Sequence, residues 1–205
     1  MKQKIKAIVF DLGGVLIDWN PSYVFDKLIE DEEKRKHFFE NICTPDWNEE
    51  QDAGRPVKQA TEELIAEHPD WKEAIEAFYG RWTEMLGGPI KETVDILWQI
   101  KQSGHYKLYA LTNWSAELFP IALELYDFLH WFDGRVVSGE EKIRKPDPVF
   151  YQLLLDRYQL KAEETLFIDD NIRNKNAAEE LGIRSILFRS PQLLKEDLIK
   201  SEILS

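Results

Sequence analysis

Apolar and polar positions change their period along this chain. Lys6-Ala7-Ile8-Val9-Phe10 is a short, almost continuous apolar run that stops at Asp11. Such a run predicts a strand over residues 5–10, buried on both faces as in a parallel sheet. From residue 19 to 88 no strand pattern is present. Apolar residues recur there at helical spacing, in sets such as Tyr23, Phe25, Leu28 and Ile29, then Phe38, Phe39 and Ile42, then Ala74, Ile75, Phe78, Tyr79 and Trp82. Gly87-Gly88-Pro89 punctuates the exit from this segment. The remainder alternates. Strands are predicted at 107–112, 136–138, 165–168 and 185–188, and helices at 90–103, 115–127, 147–159 and 174–181, with a last helix opened by Pro191. Strand–helix alternation means βαβ units. The expected fold is α/β, a Rossmann-like doubly wound parallel sheet (residues 1–18 and 89–205) with an inserted all-helical cap (19–88).

Size and charge narrow the partners. The 205 residues suit one domain with an insert, and 43% apolar with 31% charged residues describes a globular chain. The 38 acidic residues outnumber the 26 basic ones, for a net charge of −12. An acidic surface disfavours nucleic acid and anionic membranes, which require basic patches. It also repels phosphorylated substrates at long range, so a phosphate site needs local positive charge or a metal. Cys43 is the only cysteine, so no intrachain disulfide forms. That fits a reducing cytoplasm and a buried bystander thiol. Met1-Lys2-Gln3-Lys4 precedes too short an apolar run for a signal peptide, and no stretch is apolar enough to span a membrane. The chain is expected in the cytoplasm, as a monomer or a homodimer.

Three predicted strand ends carry chemistry: Asp11, Thr112-Asn113 and Asp169-Asp170. In a parallel sheet these ends share one rim, where α/β folds bind ligands. Asp11 there serves as a nucleophile, a metal ligand or both; otherwise it merely ends a strand. Carboxylates of Asp11, Asp169 and Asp170 suit a hard cation such as Mg²⁺; otherwise the acidic pair caps the following helix. Thr112 and Asn113 offer polar groups near a helix start, fit for an anion or for capping. Lys145, in Arg144-Lys145-Pro146-Asp147-Pro148, precedes a proline and belongs to a loop. It can neutralise a phosphate and Asp11 together, or stay solvated. Trp47 and Trp114 can stack on a substrate ring or pack between layers, and Arg55 can meet a substrate anion or face solvent.

Phe-Asp11-Leu-Gly-Gly-Val-Leu, Leu-Thr112-Asn113, Arg-Lys145-Pro-Asp-Pro and Phe-Ile-Asp169-Asp170-Asn occur in that order. Together they resemble the motifs of the haloacid dehalogenase superfamily, in its sugar-phosphatase-like branch, over essentially the whole chain. The resemblance implies an Mg²⁺-dependent phosphatase acting on a small phosphorylated metabolite, such as a sugar phosphate, through an aspartyl phosphate on Asp11. It implies that Thr112 and Asn113 hold the phosphoryl group and that Lys145 steadies its charge. It implies that Asp170 binds the metal directly and Asp169 directly or through water, with the carbonyl of Gly13 as a further ligand. Trp114, Trp47 and Arg55 complete the candidate substrate contacts.

One position departs from that pattern. Phosphatases of the superfamily usually carry an Asp two residues after the nucleophile as general acid and base, though some members lack it; here Gly13 stands there. Such help is worth about 10²–10⁴-fold. Asp18 and the cap residues Asp46, Glu49, Glu50 and Asp52 are the acids available instead, with nothing in the sequence to choose among them. Two other readings compete: a metal-free 2-haloacid dehalogenase, and a catalytically weakened module that binds a phosphorylated ligand or a protein.

Overall fold

The computed structural model describes residues 4–204. Residues 1–3, part of the N-terminus read above as lacking signal-peptide character, and Ser205 lie outside the described residues. Five parallel strands form the central sheet: β1 (Ala7–Phe10), β4 (Lys107–Thr112), β5 (Gly134–Val137), β6 (Thr165–Asp169) and β7 (Arg184–Leu187). Their order in space is β5-β4-β1-β6-β7. β1 therefore lies between β4 and β6, with Ile8 opposite both Leu108 and Leu166. The chain winds outward from β1 in both directions, so the topological switch falls beside β1, and a crevice opens at its C-terminal end.

Alternation along the strands builds a core on each face. Ile8, Phe10, Leu108, Ala110, Leu166 and Ile168 belong to one cluster. Ala7, Val9, Tyr109, Leu111 and Phe167 belong to the opposite one. Both faces are covered by helices: α6 (Lys91–Ser103), α7 (Phe119–Leu125), α8 (Ser138–Glu141), α9 (Pro148–Arg157), α10 (Ile172–Glu180) and α11 (Pro191–Lys200). α6 stops where Gly104 takes the left-handed conformation, φ 65°. The helix predicted from 115 begins only at Phe119. Pro120 explains this, because a helix begun at 115 would need its missing N–H.

Residues 22–80 form five helices: α1 (Ser22–Leu28), α2 (Glu32–Asn41), α3 (Pro45–Asp52), α4 (Val57–Glu67) and α5 (Lys72–Gly80). They enclose a separate cluster built on Phe25, Phe38, Trp47, Leu64, Ile75 and Phe78. Thr44 starts α3 by accepting a hydrogen bond from the Trp47 N–H at 3.1 Å. The expectation that 19–88 holds no strand is corrected at its ends. β2 (Ile17–Trp19) pairs antiparallel with β3 (Leu86–Pro89), so both crossings into the helical insert run through one short ribbon. Gly87-Gly88 reads as a turn because glycines rarely favour strands. Here Gly87 is needed for close approach, since a Cβ would lie 2.1 Å from Oδ2 of Asp18. Among the described residues, no helix is long and apolar enough to cross a membrane.

Candidate active site

Four strand ends and one loop supply the site. Asp11 follows β1, Thr112 ends β4, Ser138 follows β5 and Asp169 ends β6. Lys145 arrives from the loop before α9 and is only 1% exposed. Its ammonium lies 2.9 Å from Oδ1 of Asp11 and 2.7 Å from Oδ2 of Asp169. A buried Lys without such partners would be strongly disfavoured. Burial lowers its proton affinity, but Asp11 and then Asp169 outweigh burial and hold Lys145 above its ordinary value. Asn113 fixes the loop that carries it: its side chain accepts from the Lys145 N–H at 2.8 Å and donates to the Lys145 carbonyl at 3.0 Å.

Each carboxylate of the rim is held differently. Oδ1 of Asp11 accepts from the Leu12 N–H at 2.7 Å. Asp169 accepts from Lys145, from the Asn171 N–H at 2.8 Å, and from the Asn174 amide at 3.1 and 3.2 Å. Asp170 is exposed to the cleft, and Gly14 lies against it: a Cβ at Gly14 would sit 2.3 Å from its Oδ2. Asp11, Asp169 and Asp170 each bring an oxygen within 4.8 Å of the others. Three carboxylates beside one ammonium leave two negative charges uncompensated. Burial, offset by Lys145 and reinforced by Asp169 and Asp170, pushes Asp11 up to about 8. Desolvation and the charge of Asp169 raise Asp170 as well. An all-oxygen set with excess negative charge fits Mg²⁺.

Thr112 adds a group with no protein partner. Its hydroxyl is fully buried and makes no hydrogen bond, as does the Trp114 indole N–H beside the cavity. Buried polar atoms are rarely left this way unless a ligand or water completes them. A cavity of about 240 Å³ opens over Asp11, lined also by Gly13, Asp52, Asn113, Trp114 and Asp170.

Asn113 lines the cavity over Asp11, and its side chain ties down the Lys145 loop. Trp114 lines the cavity and packs edge-on against Trp82, with ring centroids 5.6 Å apart. Trp47 and Arg55 are not brought to the site. Trp47 packs on Phe78 and Tyr79, both at 5.4 Å, and Arg55 pairs with Glu50 and Glu63. Both line a different cavity.

The acids offered in place of Gly13 also separate. Asp46 and Glu50 face that other cavity. Glu49 is bound to Arg144 at 2.7 Å, and Asp18 accepts from the Tyr23 hydroxyl at 2.5 Å. Of these acids Asp52 alone lines the cavity over Asp11; it accepts from the Asn48 amide at 3.4 Å and from the Ser115 backbone N–H. It ends α3, where the helix dipole disfavours a negative charge. Burial pushes it up to about 7, with Arg144 opposing and Glu49 adding to the rise.

Two contributors escaped the sequence reading. Ser138 accepts from the Trp114 N–H at 2.8 Å and shapes the loop after β4. Asn174 orients Asp169 from the first turns of α10. Ser138 was legible as a fourth polar strand end; Asn174 had no signal beyond its position near a strand-to-helix turn.

A family model described as haloacid dehalogenase-like hydrolase matches residues 5–182. The chain is 29% identical over 178 residues to the sesquiterpene phosphatase astK of Aspergillus oryzae, covering 87% of each chain. It is 26% identical over 196 residues to the drimenol cyclase drtB of Aspergillus calidoustus, covering 95% of this chain but only 36% of that protein. Among solved structures, a predicted haloacid dehalogenase-like hydrolase from Porphyromonas gingivalis superposes with a TM-score of 0.72 at 23% identity, over 95% of this chain and 98% of that one.

Proposed function

The chain belongs to the haloacid dehalogenase-like hydrolase family, and from that premise we propose that it is a Mg²⁺-dependent phosphatase of small phosphate monoesters working through an aspartyl phosphate on Asp11. The observation that carries this reading is Lys145 buried between Asp11 and Asp169, with the third carboxylate, Asp170, on the same rim. A metal-free attack on a carbon–halogen bond has no use for that acidic trio.

Oδ1 of Asp11 is held by Leu12 and Lys145, which leaves Oδ2 to attack. Oδ2 forms a bond to phosphorus, the bond from phosphorus to the alcohol oxygen breaks, and its electron pair stays on that oxygen. Lys145 and the Thr112 hydroxyl stabilise the negative oxygens of the phosphoryl group in flight. The departing oxygen takes a proton from Asp52. Water then attacks phosphorus and gives its proton to the Asp52 carboxylate, and the bond to Asp11 breaks to release inorganic phosphate. Mg²⁺, when bound, neutralises the carboxylates and the phosphoryl oxygens; Asp170, Asp11 and the Gly13 carbonyl would hold it. Asp169, with both oxygens already engaged, orients Lys145 and would add its negative charge to the metal site. Residues 19–88 act as a cap on the β2–β3 ribbon, bringing Asp52 over the rim and excluding water.

The test is phosphate release from p-nitrophenyl phosphate with and without Mg²⁺, for the protein and for Asp11→Asn. Mg²⁺-dependent turnover that Asp11→Asn abolishes is the expected result. Equal rates for the two proteins would sink the reading, because that leaving group needs little acid help.

A further inference from the structure

Beyond the cavity over Asp11 lies a larger one, of about 500 Å³, that shares Asp11, Trp19, Asn48, Asp52, Asn113 and Asp170 with it. The larger cavity is walled by Trp19, Pro21, Phe39, Cys43, Pro45 and Phe78. The insert core holds this wall in place: Phe39 packs on Phe25 and Phe38 at 5.2 and 5.3 Å, and Phe78 on Trp47 at 5.4 Å. Its size is that of an ordinary small-molecule site.

The charges around it are one-sided. Among the described residues, no Lys, Arg or His lines either cavity, whereas Glu49, Asp52 and Asp170 do. The Arg144 guanidinium, which reaches the cavity wall at Glu49, is bound to that carboxylate and donates to the Lys145 carbonyl at 3.2 Å. Lys145 itself is held between Asp11 and Asp169. A substrate with a second anionic group would bring it among carboxylates with no cation to receive it. A polyol would find partners in Ser22, Thr44, Asn48, Asn171 and Asn174, but its body would also lie against the rings of Trp19, Phe39 and Phe78, where a hydroxyl gives up water for no partner. An apolar body gains from leaving water there.

We infer that the substrate is the phosphate monoester of an uncharged alcohol with an apolar body, aromatic or hydrocarbon, seated with its phosphate at Asp11 and its body against Trp19, Phe39 and Phe78. This rests on the phosphatase reading and narrows it, away from sugar phosphates and phosphorylated carboxylic acids.

The test compares kcat/KM for benzyl phosphate, glycerol 3-phosphate and 2-phosphoglycolate, with acetyl phosphate as a small substrate that does not reach the apolar wall. The first three release primary alkoxides, so their ratios report the body rather than the leaving group. Benzyl phosphate should exceed glycerol 3-phosphate by about tenfold and 2-phosphoglycolate by about a hundredfold. Trp19→Arg, at a position 37% exposed, should shrink the benzyl-to-phosphoglycolate ratio by at least about tenfold. Hydrolysis of acetyl phosphate with benzyl phosphate no better than the other two would overturn the inference and leave the phosphatase standing. Failure to hydrolyse acetyl phosphate at all, with Mg²⁺ present, would remove both. Should Trp19→Arg not fold, the three wild-type ratios decide alone.

Discussion

At the rim of the sheet, charges are buried and hold one another; in the helical insert, rings are buried and the charges, Asp52 excepted, stay outside. Lys145 is enclosed between two carboxylates 2.7 and 2.9 Å away. Arg55, the corresponding candidate in the insert, pairs with Glu50 and Glu63 on a partly exposed surface. The first arrangement only makes sense for chemistry, since a buried ion pair is weak evidence of stability and costly to assemble. The second is ordinary surface electrostatics. The insert contributes one acid, Asp52, and a wall of apolar side chains. In the proposed reaction the rim carries the chemistry, and the insert the selection of what reacts.

Lys145→Met should show the largest effect. It leaves Asp11 and Asp169 crowded without a counter-charge, which costs about 3–5 kcal/mol of stability when one partner of a buried pair is removed. Activity should fall by at least about 10³-fold, as the transferring group and the nucleophile lose the same cation. Chemical denaturation with and without Mg²⁺ separates the two losses, because a divalent cation should restore part of the stability and little of the rate. A stable, active Lys145→Met protein would dissolve the contrast between rim and insert.

Asp52→Asn is next and tests whether the insert enters the chemistry. The rate on an alkyl phosphate should fall by about 10²–10⁴-fold, and on p-nitrophenyl phosphate by far less. As an acid Asp52 must be protonated, so wild-type kcat/KM on the alkyl ester should decline as pH rises through about 7, and the variant should lack that limb. Stability moves by the same titration. The folded protein holds this proton to a higher pH than the unfolded chain, whose value is near 3.8. Stability from this group is therefore present below about pH 4 and lost as pH rises toward 7. In EDTA, Asp52→Asn should be more stable than the parent at pH 8 by about 1–2 kcal/mol, allowing for the solvent that reaches a half-buried carboxyl. Equal losses on both esters would make Asp52 a positioning residue.

The two glycines after Asp11 sharpen the same comparison by one residue. At Gly14, φ is 73° and a Cβ collides with Asp170. Gly14→Ala should weaken Mg²⁺ affinity by about 10–100-fold, read by Mg²⁺ titration of activity. At Gly13 a Cβ meets nothing within 4 Å. Gly13→Asp should fold normally and rescue the Asp52→Asn variant on alkyl phosphates by about tenfold or more, since it restores an acid at the rim.

How much of this could be read from the chain follows from the same division. Asp11, Thr112, Asp169 and Asp170 end strands whose apolar runs announce them, and a parallel sheet brings strand ends together whatever the details. The β2–β3 ribbon was invisible because Gly87 serves close approach and Gly88 a positive φ of 102°, rather than strand propensity. Asp52 could be shortlisted but not chosen, because its role depends on how α3 lies over the sheet, a tertiary relation with no local period. Trp47 and Arg55 stayed open between binding and packing or solvent for that reason: packing against Phe78 and pairing with Glu50 set their places, and neither leaves a local period.

Arg55→Ala carries the smallest expected effect and closes the comparison from the insert's side. The side chains of this cluster are 26%, 58% and 49% exposed for Arg55, Glu50 and Glu63. Exposed pairs of this kind contribute about 0.2–1 kcal/mol, and salt should screen what there is. A melting curve at low and high ionic strength should therefore show a small loss that shrinks with salt. Turnover of any phosphate ester should stay within about twofold of the parent, because Arg55 touches neither cavity at Asp11. Were Arg55→Ala instead to raise KM tenfold on a substrate with a second anion, the insert would have to swing this guanidinium over the rim. Charge as well as shape would then belong to its share of recognition, and the acidic, cation-free cleft would describe only one of its positions.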